Sequence, residues 1–152
     1  MTTPRWHFDM DTIRRIASEA LQGRKDQAGN PVQWHAVDIA NELERAGNGP
    51  TAVAAATLHD VLEDSDWSAR RLFHELATRA ALLDIDSILK AVIALTREQG
   101  EVYMDYIHRI KESSDIAVKV KVEDLRHHLE NRKDIAGSLV ARYEKALTVL
   151  TS

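Results

Sequence analysis

The segment TAVAAATLHDVLEDSD, from Thr51 to Asp66, constrains the fold of this chain more than any other. It is apolar and built of small residues from Ala52 to Leu58. Within the next six residues it places four potential metal ligands: His59, Asp60, Glu63 and Asp64. If the segment is one helix, residues three and four apart share a face, so these side chains lie together. Such a polar cluster on a buried helix is costly unless a cation neutralises it, and we therefore expect a divalent metal ion here.

Length and composition set the class of protein. The chain has 152 residues, 44% hydrophobic and 29% charged, which predicts a single globular domain over residues 1–152. The net charge of −4 favours neither a nucleic-acid polymer nor an anionic membrane as partner. Cysteine is absent, which excludes thiolate metal sites and a cysteine nucleophile. The N-terminal residues do not form the apolar stretch of a secretory signal, so we expect a cytoplasmic protein.

The spacing of apolar residues predicts an all-α fold of roughly seven or eight helices. Around the central segment, helices are expected at 12–21, 34–46, 69–78, 85–96, 102–111, 116–130 and 134–150, after a short arm over residues 1–8. Ser68 and Asp84 are suited to cap the helices that follow them, and Pro50 is suited to begin the central one. Residues 23–31 are expected to form a loop.

Residues 116–130 fit two patterns. Ile116, Val118, Val120 and Val122 alternate with small or charged residues, which suits a strand, although Val118, Val122, Leu125 and Leu129 also share one helical face. No second strand is evident, and a lone strand is not stable. We therefore predict a mostly buried helix.

Two residues distant in sequence strengthen the prediction of a metal site at the pair His59-Asp60. Chance alone produces about 0.6 His-Asp dipeptides in a chain with this many His and Asp residues, so the pair by itself is weak evidence. His35 follows the loop, and Asp124 lies on the apolar helix 116–130. Two imidazoles and two carboxylates from three helices can bind one divalent ion in a bundle core. This donor set suits Mn²⁺, Fe²⁺ or Zn²⁺, and suits Mg²⁺ less.

Each of these residues also has a purely structural interpretation. His35 can pack beside Trp34 at a helix start, and Asp124 can be the buried partner of Arg126 or a lysine. The pair Glu63-Asp64 can be a solvated helix end. Cations on the helices can contact phosphate or belong to the solvated surface: Arg97, Lys111, Lys119, Lys121 and Arg126.

Four segments carry a resemblance to a known family. GRKDQAGNPVQWHAVDIA, AAATLHDVLEDSDWS, ALTREQGEVYMDYIHRI and VKVEDLRHHLEN occur in an order that resembles the HD-domain metal-dependent phosphohydrolases. They look most like the hydrolase domain of the RelA/SpoT family and its small stand-alone relatives. The resemblance covers residues 10–132, and it implies a helical bundle that hydrolyses the 3′-pyrophosphate of (p)ppGpp, usually with manganese.

The resemblance also implies roles for residues. His35, His59, Asp60 and Asp124 match the family's metal ligands, and Glu63 and Asp64 match the acidic pair that activates or positions the attacking water. Expected substrate-binding residues are Arg24 and Lys25 in the first loop, Tyr103 on a helix bordering the cleft, and His128. An activated water would then attack phosphorus, with Glu63 taking its proton.

Departures from the family pattern concern substrate binding. Ala36 replaces the family's Pro after the first His, and Val32 stands where a Tyr is frequent. Leu21 and Arg24 stand where small relatives carry a His and a Gln. The family has Asn four residues after the distal Asp, whereas this chain has His128, which is an extra ligand, a general acid, a sign of another substrate, or part of an exposed helix face.

Four functions follow from these observations. The first is hydrolysis of a small phosphorylated nucleotide of the (p)ppGpp type, and the second is a nucleotidase or phosphodiesterase reaction on another nucleotide. The third is a nucleotide-binding module without turnover, which the altered loop and His128 favour and which the intact Glu63-Asp64 pair disfavours. The fourth is a helical interaction protein in which His59-Asp60 is incidental.

Overall fold

The computed structural model describes residues 6–26, 29–130 and 135–152, with side chains from residue 9 onward. Within these ranges the secondary structure is helical, apart from one isolated β-bridge between Lys25 and Pro31. Eight helices of two turns or more and one single turn, α4, are described: α1 Trp6–Ala20, α2 Gln33–Arg45, α3 Pro50–Leu58, α4 Val61–Asp64, α5 Ala69–Arg79, α6 Ile85–Leu95, α7 Tyr103–Ser113, α8 Asp115–Glu130 and α9 Gly137–Thr151.

Helix α3 forms the centre of the bundle. Every residue from Ala52 to Leu58 is buried, and α3 packs against α1, α2, α6 and α8. A helix that is apolar on all sides is stable only when it is surrounded. Because four of its nine residues are alanine, four neighbouring helices can approach its backbone closely. The remaining bundle forms around it, with α8 also contacting α6, α7 and α9.

The predicted all-α class is confirmed, and residues 116–130 are helical. Ser68 caps α5 by accepting a hydrogen bond from the Arg71 amide at 3.1 Å, and Asp84 caps α6 by accepting one from the Ser87 amide at 3.2 Å. Pro50 is the first residue of α3, where the absence of an amide hydrogen costs nothing. Helix α1 begins at Trp6, so part of the expected arm is helical, and residues 1–5 lie outside the described ranges.

The expectation of one continuous central helix is wrong. Helix α3 ends at Leu58, and α4 begins only at Val61. Between them, Asp60 has φ −97° and ψ −2°, in the sparsely populated bridge region that active-site residues often occupy. Adjacent side chains of a regular helix point about 100° apart, and the turn frees His59 and Asp60 from that constraint. The relative position of the His59 and Glu63 side chains is therefore set by a turn and not by helical periodicity.

The connection between α6 and α7 is held by Arg109. Its Nε and Nη2 donate to the two carboxylate oxygens of Glu101 at 2.9 and 2.8 Å, while Nη1 and Nη2 donate to the carbonyls of Ala94 and Thr96 at 3.1 and 3.0 Å. One guanidinium thus satisfies the end of α6 and fixes the loop that follows. The hydrogen bonds to Arg109 lower the pKa of Glu101 to about 2.

None of the helices in the described part of the chain combines the length and apolar character needed to cross a membrane.

The Glu101–Arg109 pair predicts a specific dependence of stability on pH. Because the folded pKa of Glu101 lies below its ordinary value of 4.5, the stabilisation is complete above pH 4.5 and is lost as the pH falls toward 2. We expect Glu101→Gln to lower the free energy of unfolding by about 1–2 kcal/mol at pH 7, and by less as the pH falls through this window. Urea unfolding at several pH values measures both quantities. The exposed residue Glu112 supplies the control Glu112→Gln, and equal stability of the two variants at pH 7 would contradict the prediction.

Candidate metal centre

Three parts of the bundle contribute to one polar cavity of about 590 Å³. Helix α2 contributes His35, near its first turn, and the α3–α4 turn contributes Asp60. Helix α8 contributes Lys121, Asp124, His127 and His128, which recur three and four residues apart and so share one face. Lys25, Asp26, Val32, Glu63 and Asp64 complete the lining. The buried His59 lies behind this surface, with its ring centroid 5.8 Å from that of His35.

The four expected metal ligands converge. The ligand atoms of His35, His59 and Asp60 all lie within 4.8 Å of one another, and so do those of His35, Asp124 and His128. His35 Nε2 is 2.6 Å from Asp124 Oδ1 and belongs to both groups. Residues separated by up to 93 positions therefore meet at one point, with imidazole nitrogens and carboxylate oxygens as donors. Such a set fits a divalent transition metal.

The protonation of His59 supports this interpretation. Its Nδ1 lies 2.6 Å from the carbonyl oxygen of Ala56, which can only accept, so Nδ1 carries the hydrogen. In the neutral imidazole, the lone pair is then on Nε2. This atom is buried and forms no hydrogen bond within the described part of the chain, although Asp60 Oδ2 is 3.3 Å away. A buried imidazole nitrogen that lies 3.3 Å from a carboxylate and forms no hydrogen bond with a described residue fits a metal ligand.

Charge is concentrated around Asp124, whose side chain is only 7% exposed. Burial alone would raise its pKa, but Lys121 and the neighbouring histidines hold it well below the ordinary value. Lys121 Nζ donates to Asp124 Oδ2 at 2.8 Å, and His128 Nε2 lies 3.3 Å from Oδ1. The alternative role of Asp124 as a lysine's buried partner is therefore realised through one oxygen. The other oxygen faces the imidazoles.

Glu63 and Asp64 lie at the same cavity, on α4. The amide of Arg97, in the loop after α6, donates to Glu63 Oε1 at 2.6 Å. Glu63 is exposed as a residue at the cavity rim, yet partial desolvation of its carboxylate raises its pKa, with a further contribution from Asp60. Burial and Asp60 also raise the pKa of Asp64. Both carboxylates are therefore stronger proton acceptors than free ones.

The expected substrate-binding residues are spread over three places. Lys25 and His128 line the polar cavity, whereas Arg24 lines a neighbouring groove and pairs with Asp66 at 3.2 Å. Tyr103 lines an adjacent cavity of about 710 Å³, which shares Glu63 and Lys121 with the polar cavity. The hydroxyl of Tyr103 is buried without a hydrogen bond among the described residues. Tyr106, by contrast, donates to the Leu95 carbonyl at 2.6 Å and supports the fold.

Sequence reasoning did not single out three groups that the structure places at this centre. Lys121 was one of several cations, but its spacing of three residues from Asp124 could have distinguished it. His127, grouped with His128 on a helix face, has its Nδ1 2.9 Å from His35 Nδ1. The Arg97 amide has no sequence signal at all, because a backbone donor is positioned by the loop and not by the identity of its side chain.

Comparison with known proteins finds curated relatives that are named as guanosine-3′,5′-bis(diphosphate) 3′-pyrophosphohydrolases or as GTP pyrophosphokinases. No protein-family model matches it. A guanosine-3′,5′-bis(diphosphate) 3′-pyrophosphohydrolase of Haemophilus influenzae is 30% identical over 116 residues, covering 75% of this chain and 17% of that protein. A probable GTP pyrophosphokinase of Mycobacterium leprae is 25% identical over 128 residues, covering 84% of this chain and 16% of that protein. The chain therefore spans less than a fifth of the length of these curated relatives.

A solved structure has the same fold. It is described as a metazoan ortholog of SpoT that hydrolyzes ppGpp, and it aligns with 99% of this chain and 88% of its own at a TM-score of 0.73 and 18% identity. The chain is therefore similar in sequence to part of a pyrophosphohydrolase and shares the helical fold of the SpoT ortholog. The expected helical bundle is thereby confirmed, while the roles of individual side chains stay predictions.

The orphaned Nε2 of His59 predicts a selective loss of metal affinity. In His59→Asn, the side-chain amide can still donate to the Ala56 carbonyl, but the nitrogen that faces Asp60 is removed. We expect this variant to stay folded and to bind Mn²⁺ at least about 100-fold more weakly, since even partners of a ligand affect affinity by 10- to 100-fold. Isothermal titration calorimetry measures the dissociation constant, and circular dichroism verifies the fold. His74→Asn, at an exposed position of α5, is the matched control. Wild-type affinity in His59→Asn would contradict the assignment.

Proposed function

We propose that this domain is a metal-dependent phosphohydrolase that acts on a small phosphorylated nucleotide, with removal of a (p)ppGpp-type 3′-pyrophosphate as its reaction. The observation that carries the proposal is the convergence of His35, His59, Asp60 and Asp124 beside the acidic pair of α4. The names of the related pyrophosphohydrolase and of the SpoT ortholog support the choice of substrate.

The proposed ion is held by His35, His59, Asp60 and Asp124. Two nitrogen and two oxygen donors without sulfur suit manganese, with iron and zinc as the other candidates. When bound, the ion supplies Lewis-acid polarisation of a phosphoryl oxygen and makes a water ligand acidic enough to react near neutral pH. The protein's contribution is to collect these donors in a buried place and to orient them. The Ala56 carbonyl orients His59, and Lys121 orients Asp124.

Glu63 is the proposed general base. The Arg97 amide holds one of its carboxylate oxygens, which sets the direction of the side chain at the cavity rim. Its raised pKa brings its proton affinity closer to the operating pH, where a general base works best. Asp64, on the same helical turn, is proposed to orient the attacking water together with Glu63.

Cations at the cavity are proposed to bind the charged groups of the substrate. Lys25 lies at the edge of the polar cavity, and Lys121 lies between this cavity and the one lined by Tyr103. Arg24 pairs with Asp66, whose side chain is 92% exposed. An exposed ion pair of this kind contributes about 1 kcal/mol or less, so a phosphate can replace Asp66 at little cost. The first loop can then contact the substrate as the family resemblance implies.

The role of Glu63 predicts a separation of binding from turnover. Glu63→Gln keeps the size of the side chain and an acceptor for the Arg97 amide, but it cannot take a proton. We expect unchanged Mn²⁺ affinity and a fall in kcat of about 10²- to 10⁴-fold. The assay follows release of pyrophosphate from guanosine 3′,5′-bis(diphosphate) with added Mn²⁺.

Glu112→Gln, on an exposed part of α7, is the control and should keep wild-type kcat. Full activity of Glu63→Gln would show that another group is the base. Absence of divalent-metal binding by the wild type would overturn the proposed reaction itself, and metal binding without turnover of any nucleotide would indicate a binding module.

His128 favours a second candidate, the same chemistry on another nucleotide. Its Nε2 lies 3.3 Å from Asp124 Oδ1, where the family's Asn would present an amide. An imidazole there adds a nitrogen donor at the ion and removes an amide contact to the substrate. We expect His128→Asn to raise kcat/KM for guanosine 3′,5′-bis(diphosphate) relative to other nucleotides in a panel assayed with Mn²⁺. An unchanged ratio across the panel would place His128 outside the determinants of specificity.

A further inference from the structure

His127 is a polar residue at the centre for which the proposed reaction has no role. It lies on α8, one turn after Asp124, and faces two residues of α2 that are themselves one turn apart. Its Nδ1 is 2.9 Å from His35 Nδ1, and its Nε2 is 3.6 Å from Asp38 Oδ2. Its side chain is 29% exposed, whereas that of Asp38 is 63% exposed. The three side chains form a row that runs from the centre to the surface.

When His35 Nε2 binds the proposed ion, the hydrogens along this row can be assigned by elimination. A neutral imidazole carries one hydrogen, so His35 can bind an ion through Nε2 only if Nδ1 carries it. His35 Nδ1 then donates, and His127 Nδ1 must accept. The hydrogen of a neutral His127 is therefore on Nε2, the atom that faces the Asp38 carboxylate. The row ends at the Asp38 carboxylate, 3.6 Å from this nitrogen, which attracts the hydrogen electrostatically.

We propose that His127 is a positioning residue for the metal ligand His35. By accepting from His35 Nδ1, it selects the tautomer that leaves the lone pair on Nε2, and it fixes the plane of the ring toward Asp124. Hydrogen-bonded partners of this kind make a ligating imidazole more basic and raise metal affinity. The Asp38 carboxylate lies 3.6 Å from His127 Nε2, on the solvent side of the ring. This inference rests on the proposed metal centre.

Two substitutions at position 127 separate positioning from packing. His127→Phe keeps an aromatic ring against His35 but has no acceptor, whereas His127→Asn has an amide oxygen close to the former place of Nδ1. We expect His127→Phe to weaken Mn²⁺ binding about 10- to 100-fold, measured by calorimetry. His127→Asn should stay close to the wild-type dissociation constant. His74→Phe, at an exposed position, controls for the loss of a histidine as such.

A spectroscopic measurement reads the tautomer directly. In the Zn²⁺-loaded wild type, ¹⁵N-edited NMR of the imidazoles should show His35 protonated at Nδ1 and bound through Nε2. The Nδ1 hydrogen should exchange faster with water in His127→Phe than in the wild type, because it has lost its acceptor. A role in packing alone would change neither the tautomer nor the exchange rate.

Three results would overturn the inference. Equal Mn²⁺ affinity in His127→Phe and the wild type would remove the role, and equal weakening in His127→Phe and His127→Asn would show that the ring and not the acceptor matters. His35 bound through Nδ1 would contradict the assigned tautomer. If the wild type bound neither Mn²⁺ nor Zn²⁺, the metal centre itself would fail, which is distinguishable because the variants would then have no affinity to compare.

Discussion

The buried carboxylate of Asp124 is the constraint on which the centre depends. A carboxylate removed from water is costly unless charges and hydrogen bonds compensate for it. Here Lys121 contacts one oxygen, and His35 and His128 lie near the other. These compensating groups come from two helices, so α2 and α8 must be placed correctly before the charge is tolerated. The buried charge is therefore compensated only when the helices of the bundle pack correctly.

Helix α3 explains why such a centre can form at the middle of a small domain. Its alanine-rich surface lets α2 and α8 approach from two sides, and their polar residues meet just beyond its C-terminal end. The turn at His59 and Asp60 then takes over where the helix stops. In a continuous helix the consecutive side chains of His59 and Asp60 would point about 100° apart. Because the helix ends at Leu58, the consecutive side chains of His59 and Asp60 can both face the proposed metal centre.

The loop after α6 connects an ion pair that stabilises the fold with the position of Glu63 in the acidic pair. Arg109 and Glu101 fix this loop by a bidentate ion pair, and the Arg97 amide in the same loop holds Glu63. A change that loosens the pair would therefore reach the carboxylate without touching it. Rigid support of this kind is what a catalytic side chain requires, since small displacements of a base from its proton are expensive.

Several features could be predicted from the sequence alone because they depend on local chemistry. Apolar spacing predicted the helical class, and capping residues and Pro50 predicted where α3, α5 and α6 begin. The ligand types His35, His59, Asp60 and Asp124 could be named from their chemistry, and the resemblance related them to a family. The break after Leu58 could not be predicted, because helix propensity favours continuation and only packing and the polar centre oppose it.

Tertiary structure alone decided which polar groups meet. Periodicity shows which residues share a face of α8, but it does not show that this face lies against His35 and Asp38 of α2. The contact between His127 and His35, the division of the lysines between centre and surface, and the hydrogen bond from the Arg97 amide to Glu63 all join residues distant in sequence. Such contacts are set by how helices cross. The sequence determined the donors, and the crossing of α2, α3 and α8 determined their geometry.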